Sequence, residues 1–142
     1  MEASPEDHLL AAELATRAGL RLLALREEGH PTDELRTLGD TESNRYLVAT
    51  LEASRPDDGL LSEESVDDLK RLARRRVWIV DPLDGTREFG EPPRDDWAVH
   101  VALWERGELV AGAVADRPAA PRWRRTHHRP GRPAYRCGCA WR

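Results

Sequence analysis

Cysteine is missing from the first 136 residues; the only two, Cys137 and Cys139, stand among the last six positions. A disulfide-built secreted fold is thereby excluded, and the cytoplasm is the expected compartment. No apolar run approaches the ~20 residues of a spanning helix, which argues against a membrane protein. The opening MEASPEDHLL is acidic where a secretory leader would be basic. Residues 117–142 lack Leu, Ile, Val, Asp, Glu and Lys altogether. They hold eight Arg and four Pro, show no apolar periodicity, and are expected to lack a packed core and fixed structure.

What is present is a 142-residue chain with mean hydropathy −0.68, enough for one domain. Its 22 basic and 26 acidic side chains give a net charge of −4, so nothing global draws it to nucleic acid. The distribution is uneven. Residues 1–116 carry 14 basic against 26 acidic groups, whereas 117–142 carry only basic ones. Two units are expected: a domain over 1–116 and an Arg/Pro-rich tail over 117–142.

Leu10, Leu14, Ala18, Leu22 and Leu25 recur at steps of three or four, which predicts a helix from Pro5 to Glu28. Ser4 is its cap, Pro5 its first residue, and Gly29-His30-Pro31 its stop. Residues 30–40 read as a polar loop with an apolar island at Leu35–Leu38, followed by a second helix from Thr41 to Ser54. Gly59–Ser62 and Val77–Val80 have the length and aliphatic content of strands. Between them, Val66–Arg76 reads as a short solvated helix or loop, its acids first and bases last. Trp97–Trp104 alternates and returns through Leu109–Val114, which predicts a β-hairpin. His100 on its second face reads as a packed or hydrogen-bonded strand histidine rather than a ligand.

The chemistry concentrates at the strand ends. Val77–Val80 delivers Asp81, and Pro82 and Gly85 bend the chain so that Asp84 returns to the same side. Two carboxylates three residues apart on a tight loop suit a hard cation such as Mg²⁺. Backbone N–H groups after Gly85 can turn toward an anion, and Thr86 adds a hydroxyl that orients a water. Metal, phosphate-binding amides and a placed hydroxyl together describe phosphate-ester hydrolysis. Further acids end neighbouring elements: Glu63-Glu64 after one strand, and Asp40 after Leu38-Gly39.

Three motifs stand in order: Gly39-Asp40 with Ser43-Asn44, Leu61-Ser62-Glu63-Glu64-Ser65, and Trp78-Ile79-Val80-Asp81-Pro82-Leu83-Asp84-Gly85-Thr86. On these, residues 8–115 resemble the lithium-sensitive, Mg²⁺-dependent phosphatases that include inositol monophosphatase, fructose-1,6-bisphosphatase and the bisphosphate nucleotidases. Arg87-Glu88-Phe89 and Asp95–Trp104 bring the chain nearest to the CysQ-type 3′(2′),5′-bisphosphate nucleotidases. The resemblance implies an α+β fold, the N-terminal half of the inositol monophosphatase-like fold. Two helices would pack on a mostly antiparallel sheet, with the C-terminal α/β half missing. It also implies roles. Glu63, Asp81, Asp84 and the Leu83 carbonyl would ligate roughly two or three Mg²⁺ ions. Asp40 would assist a metal or its waters. Thr86 with Glu63 would activate the attacking water, and the amides of Gly85 and Thr86 would hold the phosphate. Glu64 would be either a supporting group or a solvated neighbour.

The implied substrate is a small phosphorylated molecule, foremost 3′-phosphoadenosine 5′-phosphate, with lithium inhibiting. An inositol-1-phosphate or fructose-1,6-bisphosphate phosphatase is a second reading. An inactive fragment that only binds metal or anions is a third. The family's second half brings a Trp-Asp motif whose Asp ligates metal, and no such motif follows Asp116; Trp123 and Trp141 are each followed by Arg. A shifted reading frame in a GC-rich gene accounts for the tail better than a genuine anion-binding extension. Zinc at Cys137, Cys139, His127 and His128 is disfavoured, because C-x-C with adjacent His lacks the usual spacing. A sheet left without its covering half is expected to drive homodimers or aggregation.

Overall fold

The computed structural model describes residues 3–116, together with the backbone of 123–127 and 133–138. Helix α1 runs Pro5–Glu27 and α2 runs Thr32–Ser54. Strands follow at β1 Gly59–Ser62 and β2 Arg76–Asp84, then the single-turn helix α3 Thr86–Phe89, then β3 Ala98–Glu105 and β4 Glu108–Asp116. Two shorter strands, β5 Trp123–His127 and β6 Pro133–Gly138, complete a sheet of order β1-β2-β3-β4-β6-β5. The sheet is mixed: β1 lies parallel to β2 and β6 parallel to β4, and the remaining pairs are antiparallel. The fold is α+β, with α1 and α2 packed on one sheet face. The side chains of the tail, and with them the zinc question at Cys137 and Cys139, lie outside the described residues.

Helix α1 starts at its capping box. The Ser4 hydroxyl accepts from the Asp7 amide at 3.2 Å, and the Asp7 carboxylate accepts from the Ser4 amide at 3.0 Å. Its buried stripe is Ala11, Leu14, Ala15, Ala18 and Leu22. The small residues let the helix lie close over Val99, Val101 and Leu103 of β3 and Ala111, Ala113 and Ala115 of β4. Alternation sends His100, Ala102 and Trp104 to the opposite face, where they are half-buried. A two-residue turn joins β3 to β4; Arg106 and Gly107 both take positive φ, the backbone hand that matches strand twist.

One expectation is corrected. Residues 32–40 are not a loop: α2 begins at Thr32, nine residues before the expected start. Its buried line is Leu35, Gly39, Ser43, Leu47 and Leu51, a stripe one residue wide with two members that are not hydrophobic. Pro31 precedes the first turn and Asp33 and Glu34 sit within it, which favours the helix dipole. Between β1 and β2 the chain makes one 3₁₀ turn, Lys70–Ala73, entered through Leu69 in a left-handed conformation.

Candidate active site

Strand β2 carries its pairing with β3 as far as Asp81↔His100, slips through a bulge, and resumes at Asp84↔Ala98. Bulges re-aim side chains. Here buried Pro82 and Leu83 occupy the slip and leave Asp81 and Asp84 on the outside. The Asp81 Oδ1 accepts from the Leu83 amide at 3.2 Å, which fixes the turn. Gly85 then takes φ +82°, and a Cβ there would lie 2.8 Å from the Asp96 carbonyl oxygen, so only glycine fits.

Helix α2 supplies the opposite wall. Asp40, Ser43 and Asn44 fall on one side of it, at i, i+3 and i+4. Thr86 Oγ1 lies 3.0 Å from Asp40 Oδ1 and 3.1 Å from the Leu83 carbonyl, so its one proton stands between two acceptors. The Ser43 hydroxyl donates to the Pro82 carbonyl. Asn44 ties down the loop after β1: its Oδ1 accepts from Ser62 Oγ at 2.6 Å, and its Nδ2 donates to Ser65 Oγ at 3.0 Å. That loop carries Glu63 and Glu64. The Glu63 amide donates to the Val80 carbonyl, which extends the β1–β2 pairing by one residue and brings Glu63 beside Asp81.

The expected acids therefore converge. Burial, a hydrogen bond shared with Glu63, and the charges of Glu63 and Asp84 push the Asp81 carboxyl up to about 6. Asp40 is raised by burial and by Glu63, against the lowering effect of the Thr86 hydroxyl. Burial and the charges of Asp40 and Glu63 also raise Glu64. Carboxylates crowded this way disfavour one another's ionisation until a cation shares them. Among the described residues no three such side chains form a ready-made cage. The donors are nonetheless all hard oxygens, with Glu63 and Asp81 sharing a hydrogen bond and Asp84 close enough to raise Asp81 by its charge; this set fits Mg²⁺.

The sequence profile described as "Inositol monophosphatase family" matches residues 9–136. The chain belongs to the inositol monophosphatase family. Within it, the chain is 52% identical over 118 residues to the 3′-phosphoadenosine 5′-phosphate phosphatase of Mycobacterium leprae, covering 81% of this chain and 42% of that one. It is 39% identical over 106 residues to the inositol-1-monophosphatase of Mycobacterium bovis, covering 71% and 35%. The crystal structure of CysQ from Bacteroides thetaiotaomicron superposes with a TM-score of 0.68 at 29% identity, over 80% of this chain and 42% of that one. The chain thus spans about two fifths of the length of these relatives, and the matched part contains every acid of the cluster.

Three groups that build this site were not given a role from sequence: Ser43, Asn44 and His100. The first two were visible as helix neighbours of Asp40. His100, expected as a packed or hydrogen-bonded strand histidine, is hydrogen-bonded: Asp84 Oδ2 lies 3.0 Å from its Nε2.

Proposed function

We propose that this chain carries the metal- and phosphate-handling part of a Mg²⁺-dependent phosphomonoesterase whose substrate is 3′-phosphoadenosine 5′-phosphate. The observation that carries the proposal is the chain of acids at the strand ends: the Thr86 hydroxyl bonds Asp40, Asp40 feels the charge of Glu63, and Asp81 feels both Glu63 and Asp84. The substrate rests on the higher identity to the 3′-phosphoadenosine 5′-phosphate phosphatase than to the inositol phosphatase. Inositol-1-phosphate and fructose-1,6-bisphosphate are the competing substrates.

Glu63, Asp81, Asp84 and the Leu83 carbonyl would hold the ions. Bound Mg²⁺ would lower the pKa of a water and neutralise charge on the leaving oxygen. The residues themselves do the orienting. With its proton taken up by Asp40 Oδ1 or the Leu83 carbonyl, Thr86 Oγ1 only accepts, so a water beside it turns a proton toward Thr86 or Glu63 and a lone pair toward the ester. Glu63 takes the proton that the water sheds. The amides of Gly85 and Thr86 would receive the phosphate oxygens. Lithium would inhibit by displacing Mg²⁺, and the enzyme would work in the cytoplasm; no helix among the described residues is long and apolar enough to cross a membrane.

Phosphate release from the three substrates in millimolar Mg²⁺, with Asp84→Asn as control for contaminating phosphatase, tests the reading. Release from 3′-phosphoadenosine 5′-phosphate, abolished in the control, is the expected result. Mg²⁺ binding without release from any substrate would favour the metal-binding fragment instead.

A further inference from the structure

His100 stands directly across the sheet from Asp81, yet its ring reaches past the bulge to Asp84. Val99 and Val101 on either side of it point into the core, so alternation commits His100 to the site face. The carboxylate oxygen can only accept, so Nε2 carries the proton and donates. Asp84 needs such a hold. It sits where β2 ends, its side chain 61% exposed, with no packing to select a rotamer. An unrestrained carboxylate would lose its rotamer freedom at the moment a cation binds, and that loss would be subtracted from affinity.

We propose that His100 is a positioning residue: its Nε2–H fixes one oxygen of Asp84 and leaves the other presented to a divalent cation. This deepens the reading above, since it rests on Asp84 being a metal ligand. Partners that hydrogen-bond a ligating group typically contribute 10- to 100-fold to metal affinity. The bond also explains the residue type. A side chain on β3 must cross to the far end of a bulged neighbour and donate from its tip, which Ala, Val or Ser cannot do. A glutamine could, because its amide N–H lies at a similar reach.

The test is titration of the full 142-residue chain with Mn²⁺, read by the EPR signal of free ion, alongside melting temperature without metal. Asp84→Asn should bind weakly. His100→Ala should lose about 10-fold in Mn²⁺ affinity. His100→Gln should recover most of that loss, and His100→Ala in the Asp84→Asn background should add little. Melting of all the His100 variants should stay near that of the unaltered chain, because the ring is half-exposed. Wild-type affinity in His100→Ala, no recovery in His100→Gln, or an undiminished loss in the double variant would overturn the positioning role. A chain that binds no Mn²⁺, or an Asp84→Asn variant that binds it normally, would instead overturn the metal-site reading on which the role rests.

Discussion

The Ser43 hydroxyl donates a 2.6 Å hydrogen bond to the Pro82 carbonyl, 39 residues away, in the buried layer between α2 and the end of β2. Proline has no N–H, so at this position of the bulge the backbone can be held only by its carbonyl. This bond sets the distance between the helix that carries Asp40 and the loop that carries Asp81 and Asp84. Ser43→Ala leaves a buried acceptor unsatisfied and should destabilise by about 1–3 kcal/mol. Urea unfolding measures that cost. Mn²⁺ affinity should fall as well, because the two walls of the site lose their spacer; unchanged affinity would show that the bond serves stability only.

Gly39 faces Phe89 and Leu83, and a Cβ there would lie 2.5 Å from Phe89 Cε1. Helix propensity alone favours Gly39→Ala by about 1 kcal/mol. Overpacking opposes it by about 1–3 kcal/mol, since Phe89 is fully enclosed and in edge contact with Trp97. The expected result is net destabilisation. A gain on chemical denaturation would mean that Phe89 can shift freely.

Asp81 sets the apo chain against the metal-bound one. Its carboxyl is raised by burial and by Glu63 and Asp84, so its charge costs stability as pH rises from the ordinary value of 3.8 through about 6. Asp81→Asn should therefore melt higher than the unaltered chain in chelator above about pH 7, a difference that disappears in acid. Mg²⁺ should raise the melting temperature of the unaltered chain and leave that of Asp81→Asn in place. Calorimetric Mg²⁺ titration gives the matching affinities. Equal Mg²⁺ stabilisation of both proteins would remove Asp81 from the site.

Asp7 behaves oppositely. Its side chain is only 3% exposed, and Arg76 Nη2 lies 2.8 Å away. Burial raises its carboxyl, but hydrogen bonds from Arg76 and Ser4 outweigh that and leave it below the ordinary value. A lowered carboxyl contributes stability that is present above its unfolded value and lost as pH falls through the folded one. Melting temperature should drop steeply on acidification below about pH 4, and Asp7→Asn, weaker at neutral pH, should show a flatter acid limb. Parallel acid limbs in the two proteins would assign the acid transition elsewhere.

The sheet face opposite α1 and α2 leaves Ala102 and Trp104 half-exposed on β3, with exposed Leu109 and half-buried Val114 beside them on β4. Apolar strand surface of this kind promotes self-association. Light scattering should report a mass above 16.1 kDa that rises with concentration. Trp104→Glu should shift the population toward monomer. A concentration-independent monomer would mean that the exposed face does not pair.

Local rules determined much of this protein from sequence alone. The Ser4 cap, the alanine-rich stripe of α1, the alternation of β3 and the strand ending in Asp81-Pro82-Leu83-Asp84-Gly85-Thr86 each depend on neighbours a few residues apart. The expected acids could be named because they sit at the ends of such elements. Only tertiary structure decided where α2 begins, since a buried line containing Gly39 and Ser43 has no hydrophobic signature until Phe89 and Pro82 are set against it. The same holds for the bonds that shape the site: Asn44 to Ser62 and Ser65, Thr86 to Asp40, and His100 to Asp84. Each joins residues 16 to 46 positions apart, and such pairs meet only after helices and sheet have packed. Chain periodicity reports which side of an element is apolar; it carries no information on which distant polar group that side will face.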